Sequence, residues 1–432
     1  MIDLLVYAFL SSALLQVVIS SYIYKTYFNP VLYFNVLFFL HNWSFSFGVF
    51  LYPESFFTWR ADPSVSYETQ ANVLLINLVS LWALFISFIV FSRIKKKSRS
   101  VYSWFRHLWV FPFLYFTLTA LLLWKLYANG DLSGVYGLNQ ASTSSEAFSP
   151  IMQLLGLRVI FASTYLILGK NQNRGLVWLI FLVEIVFSLV EGGRKVIMIL
   201  VFSLLIPALE KNRLNAGKVV QLLFAAIFII YILLLVVAYR GTDREDSSIS
   251  RLSNANETII DGSEILVFTV MNIANSEGVQ NWTYQLIENK EMDLSHGKSY
   301  FQALINTAVL RPFQGPISDW QAAYVFKYAA YRNQNNHGWD FSFTAESILN
   351  WGARFSFLSY IALGFIAGRL FSKRFSNQFY CLMYYSLWPI LFLGFRTDST
   401  AILRTVSLYL FASFICSIDV QNLKLHFKKR SM

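Results

Sequence analysis

One histidine, one glutamate and a set of arginines are the side chains of this chain best suited to chemistry. His337 sits in Asn335-Asn336-His337-Gly338, with Glu346 nine residues on and an apolar run beyond it. An imidazole there is a base at neutral pH, able to take the proton of a hydroxyl, with Glu346 as a possible partner. An isolated histidine also serves as a surface or packing residue. Arg158, Arg194, Arg240, Arg311 and Arg396 are drawn toward one face by the order of the apolar runs around them. Guanidinium forks bind phosphate oxygens in pairs and stay charged when partly desolvated, so this cluster suits a lipid phosphate or pyrophosphate, or more simply any anionic headgroup. Arg194 lies in Glu191-Gly192-Gly193-Arg194-Lys195, where paired glycines permit a tight turn and close backbone approach to an anion. Pairing of Glu191 with Arg194 competes with that reading, as a surface salt bridge to Asp398 does for Arg396.

Other chemistries lack their residues. No second histidine lies near His337, and HExxH and Asp-x-Asp patterns are missing, as are a P-loop and a Gly-rich dinucleotide turn. The expectation is therefore no metal and no cofactor. Cys381 and Cys416 both fall in apolar runs and read as small buried residues.

The elements that position these side chains are set by hydropathy. With 432 residues, 56% hydrophobic and 14% charged, and a mean hydropathy of +0.48, the chain lies outside the soluble globular range. Continuous apolar runs rather than alternation select helices, so the fold class is an all-α polytopic membrane protein. The runs fall at residues 2–23, 31–52, 71–92, 108–127, 151–169, 175–190, 195–209, 219–238, 347–371, 379–394 and 400–418, giving about eleven transmembrane helices, within a range of ~10 to 12. Residues 1–238 form the first block of helices, 239–345 a long helical loop, and 346–432 the last helices and tail.

The net charge of +11 resides mostly in short basic clusters between runs, which speaks for topology rather than nucleic acid. Lys25, the Arg93 to Arg106 cluster, Lys170 and Arg174, Lys211 to Lys218, Lys373 and Arg374, and the Lys424 to Arg430 tail all fall on one side. The positive-inside rule makes that side cytoplasmic, so the N-terminus and residues 239–345 are expected outside. Asp3 stands where a signal peptide carries basic residues, and the first run reads as a retained helix. Arg158 lies about 10 Å into its run, too deep to snorkel easily, and is expected to face a protein interior or a wet cavity.

Gly192-Gly193-Arg194-Lys195-Val196-Ile197 at a hairpin, the Arg240 exit into a long loop, Asn335-Asn336-His337-Gly338 followed by Ser342 to Gly352, and the Arg396 turn before the last helix share an order. In that order and topology, from about residue 150 to 418, the chain resembles the oligosaccharide repeat-unit (O-antigen) polymerases of the Wzy type. The resemblance implies a bacterial inner-membrane glycosyltransferase of the C-type membrane architecture, metal-independent and inverting. Its substrate would be an oligosaccharide linked to undecaprenyl pyrophosphate in the membrane lipid, and its partner a chain-length-regulating co-polymerase. His337 would orient or deprotonate the attacking sugar hydroxyl, with Glu346 beside it, and the five arginines would hold the pyrophosphate. The related O-antigen ligase, and a flippase of the same lipid-linked unit, are the alternatives.

Overall fold

A backbone carried through lipid must satisfy its N–H and C=O groups within its own segment, and the apolar runs accordingly form helices. The computed structural model describes residues 1–26, 28–51, 66–93, 108–128, 150–168, 173–191, 195–211, 263–308, 341–394 and 399–417, with a few single or paired positions between them. Those residues fold into α1 (Ile2–Tyr24), α2 (Pro30–Asn42), α3 (Ser44–Leu51), α4 (Tyr67–Ser92), α5 (Val110–Ala128), α6 (Pro150–Leu168) and α7 (Arg174–Glu191), followed by α8 (Lys195–Lys211), α9 (Ser263–Glu288), α10 (Lys298–Ala308), α11 (Phe343–Phe355), α12 (Phe357–Lys373), α13 (Gln378–Gly394) and α14 (Ser399–Ser417). No strand occurs among the described residues. Most of the expected run 219–238, together with Arg194, Arg240, Arg311, His337 and Arg396, lies outside them.

Among the described residues, α1 and α4 are each long and apolar enough to cross a membrane, and α11 with α12 passes the same test as one bent pair. Shorter apolar stretches lie at Val110–Trp124, Gly156–Leu168, Val196–Glu210 and Ser399–Ile415. The structure differs from the expected runs at two places. The run 31–52 is not one helix: α2 stops at Asn42 and α3 begins at Ser44. Side chains cap this break from within, since Asn42 Nδ2 donates to the Phe38 carbonyl (3.1 Å) and Ser44 Oγ to the Leu40 carbonyl (2.7 Å). The run 347–371 is likewise divided, with α11 and α12 meeting at 115°. Gly352, at φ 67° and ψ 176°, occupies backbone space open essentially to glycine alone, which is why the chain can turn there.

At the centre, α12 lies against α4. A Cβ on Gly364 would come within 2.7 Å of the Leu84 carbonyl oxygen, and one on Gly368 within 2.9 Å of that of Phe88. Gly364-Phe365-Ile366-Ala367-Gly368 thus forms a small-residue seam that lets two backbones meet, as close-packed membrane helices require. Phe9, Phe38, Trp43, Phe88, Tyr360 and Trp388 fill the surrounding core. α1 is peripheral and leaves Leu4, Leu14 and Val18 well exposed.

The two ends of the bundle differ. At one end, Lys25, Arg93 and Phe371 line a common pocket where α1, α4 and α12 finish, and Arg374 pairs with Glu210 of α8 at 3.5 Å. Tyr385 also donates to Glu210 (3.2 Å), as does Tyr384. At the opposite end, α9 packs across α2, α3, α4 and α11, while α10 packs on α14 and α11. This end positions the candidate site.

Candidate active site

Glu346 occupies the first turn of α11 and is buried. The helix starts at Ser342, whose hydroxyl accepts the Ala345 N–H (3.1 Å) in the usual manner of an N-cap. The Glu346 carboxylate reaches outward to two other elements. Its Oε1 accepts the hydroxyls of Ser299 on α10 (2.6 Å) and Ser399 on α14 (2.7 Å), and its Oε2 accepts the Ser399 backbone N–H (2.6 Å). That N–H opens α14 and has no partner within its own helix, so a carboxylate there satisfies an orphan donor and meets the positive end of the helix dipole.

Asn350, one turn further along α11, extends the joint. Its amide donates to Ser299 Oγ (2.7 Å) and to the Glu346 carbonyl (2.9 Å), while its Oδ1 accepts the Gly297 N–H (3.0 Å). Tyr300 exchanges hydrogen bonds with Ser347 (3.1 Å) and Ser359 (2.8 Å). Burial, reinforced by the nearby Glu346 charge, raises the Tyr300 phenol above its ordinary value. It stays a neutral hydroxyl at physiological pH.

A second joint forms at the break between α2 and α3. Asn42 Oδ1 accepts from Thr344 Oγ1 (2.6 Å) and Gln280 Nε2 (2.7 Å), and Asn77 Nδ2 donates to Gln280 Oε1 (2.9 Å) and to the Asn42 carbonyl (3.2 Å). Thr344 also shares a hydroxyl hydrogen bond with Tyr360. Glu277 of α9 accepts the N–H groups of Phe45 (3.0 Å) and Ser46 (3.2 Å) and the Ser46 hydroxyl. These amides belong to the first turn of α3, so Glu277 does for that helix what Glu346 does for α14. Burial pushes the Glu277 carboxyl up to about 7 against the opposing hydrogen bonds from Ser46 and Phe45.

Arg158 is elsewhere, within the bundle. It pairs with Glu184 of α7 (2.9 Å), with both side chains buried, and lies 4.3 Å over the Phe187 ring. Tyr115 of α5 donates to the same carboxylate (2.6 Å). The sequence reading of Arg158 as turned toward a protein interior describes this position, and its described partner is a carboxylate. Of the other expected site residues, the structure describes Glu346. Its described partners are hydroxyl and amide groups on α10, α11 and α14. Arg396 stands three residues before Ser399, and His337 six before Phe343, so two candidate segments lead directly into the helices that Glu346 joins.

The family model O-antigen polysaccharide polymerase Wzy matches residues 1–430, essentially the whole chain. The chain belongs to the Wzy family of O-antigen polysaccharide polymerases. No curated protein and no solved structure matches it. Family membership gives the chain a polymerase role acting on lipid-linked oligosaccharide repeat units, and with its apolar helices it is a multi-pass membrane protein.

In this Wzy-family chain the polar joints are built, Glu346 apart, from uncharged side chains and Glu277, which the pattern of arginines and His337 does not mark. A signal was present. Ser276, Glu277 and Gln280 share one face of α9 by helical spacing, Asn350 follows Glu346 by one turn, and Asn42 and Asn77 interrupt runs of Leu, Val and Phe. Polar side chains at such positions are costly unless they are bonded to one another. Among the described residues no group of three or more His, Cys, Asp or Glu side chains gathers in metal-binding fashion.

Proposed function

We propose that this chain polymerises repeat units carried on undecaprenyl pyrophosphate, at the outer face of the bacterial inner membrane, by metal-independent transfer with inversion at the anomeric carbon. The observation that carries the mechanistic part is the Glu346 joint, which ties α10, α11 and α14 together at the end opposite the basic one. The segments leading to His337 and Arg396 feed into that joint, and a rigid support of this kind is what a positioned catalytic group needs.

In this reading the hydroxyl oxygen at the non-reducing end of the incoming unit attacks the anomeric carbon of the growing glycan. His337 takes its proton, and the bond from that carbon to the pyrophosphate oxygen breaks. Undecaprenyl pyrophosphate leaves with both electrons of that bond, held by Arg194, Arg240, Arg311 and Arg396. Glu346 acts as a positioning residue, fixing the start of α14 and with it the turn carrying Arg396. Arg158, paired with Glu184, fastens α6 to α7. A separate co-polymerase sets chain length.

Deletion of the gene separates this reading from its alternatives. Surface lipopolysaccharide carrying a single repeat unit is expected. Free polymer accumulating on the lipid carrier would indicate a ligase, and repeat units trapped in the cytoplasm a flippase.

A further inference from the structure

The basic end of the bundle holds a feature that the polymerase reading does not use. Between the C-terminal ends of α1, α4 and α12 lies a pocket of about 700 Å³, lined by Tyr22, Tyr24, Lys25, Ser92, Arg93 and Phe371. That volume is of the size that holds a small organic group. We propose that this pocket seats the phosphate headgroup of an anionic membrane phospholipid, gripped by Lys25 and Arg93.

Charge is the first argument. Arg374, close by, is already engaged: it pairs with Glu210 and lies 3.6 Å over the Phe371 ring. Lys25 and Arg93 are exposed and have no carboxylate partner among the described residues. Two cations at the rim of one pocket are complementary to a phosphate diester, which a guanidinium can take with two parallel hydrogen bonds. Lys95, Lys96, Lys97 and Arg99 follow in the sequence, and basic clusters directly beyond a membrane helix attract anionic lipid.

Shape and polarity supply the second argument. The pocket has a polar base, where Tyr24 and Ser92 hydrogen-bond to each other, and an aromatic wall in Phe371. It opens beside the largely exposed α1. Val18 and Tyr22 of α1 are 58% and 87% exposed, so an apolar stripe leads up to the charged rim. Acyl chains lie against such a stripe, and an exposed tyrosine at its end marks the headgroup level. A soluble anion would use the rim alone; a phospholipid uses the rim and the stripe together.

The test uses the purified full-length protein in neutral detergent, heated with dioleoylphosphatidylglycerol, with dioleoylphosphatidylcholine, or with inorganic phosphate. Phosphatidylglycerol is expected to raise the unfolding temperature of the wild type, and this shift should fall at least twofold in the Lys25→Gln/Arg93→Gln double variant. Phosphatidylcholine and inorganic phosphate should leave the temperature unchanged. An undiminished shift in the double variant, an equal shift with phosphatidylcholine, or a phosphate effect matching that of phosphatidylglycerol overturns the proposal. A second measurement needs no variant: photoreactive phosphatidylglycerol in vesicles holding the wild type should label residues 22–25 or 92–93. Labelling confined to other segments overturns it as well. Neither measurement reads polymer synthesis, so the outcome is independent of the catalytic reading.

Discussion

The Glu346 carboxylate receives the backbone N–H of Ser399 at 2.6 Å, joining the first turn of α11 to the first residue of α14 across 53 positions of sequence. A glutamate is well placed for this because it can accept from Ser299, Ser399 Oγ and Ser399 N–H at once. Buried carboxylates are tolerated where their lone pairs are filled in this way.

Glu346→Gln keeps the volume but replaces one acceptor with an NH₂ donor aimed at existing donors. We expect polymer yield to fall at least tenfold at equal protein level, with Ser399→Ala milder because the backbone N–H remains. Glycan ladders from cells carrying each variant, normalised to membrane protein, check this. Unchanged ladders from Glu346→Gln would detach the joint from function.

Glu277 gives a pH signature. Its carboxyl is pushed up to about 7 from an ordinary 4.5, so between those values the folded state binds more protons than the unfolded one. Stability from this group is therefore full below about pH 4.5 and is lost as pH rises through about 7. Thermal unfolding of the wild type and of Glu277→Gln should diverge across that window, with the wild type losing more on going from pH 5 to pH 8. Parallel curves would contradict the assignment.

The pair of Arg158 and Glu184 predicts non-additivity. Glu184→Gln alone strands a buried guanidinium, a loss on the order of 3 to 5 kcal/mol. The double variant Arg158→Met/Glu184→Leu removes both charges and should recover most of that loss, although the Tyr115 hydroxyl then lacks its acceptor. Unfolding in detergent, measured for both variants, distinguishes this from simple additive damage.

Much of the helical layout was legible because length and apolarity alone decide it: residues 2–23 match α1 to within one residue, and residues 71–92 fall within α4, which starts earlier, at Tyr67. The breaks were not. Trp43 separates α2 from α3 inside an apolar run, and the stop depends on tertiary donors and acceptors such as Glu277 that sit 232 residues away from Phe45. Gly352 was visible as a residue but its turn was not, since glycine in an apolar run marks a bend only when neighbouring helices require one. In the site, Glu346 stood out as the carboxylate nine residues beyond His337. Ser299 and Ser399 carry no mark of this kind, and only folding brings them to it.

In the proposed reading, glycan transfer takes place at the segment that leads from His337 to the Glu346 joint. In vitro polymerisation of purified lipid-linked repeat units by wild-type and His337→Ala protein, each first shown to be folded, tests it most directly. A ladder is expected from the wild type, and from His337→Ala a rate lower by ~10² to 10⁴-fold, the usual contribution of a general base. A wild-type ladder from His337→Ala would contradict it.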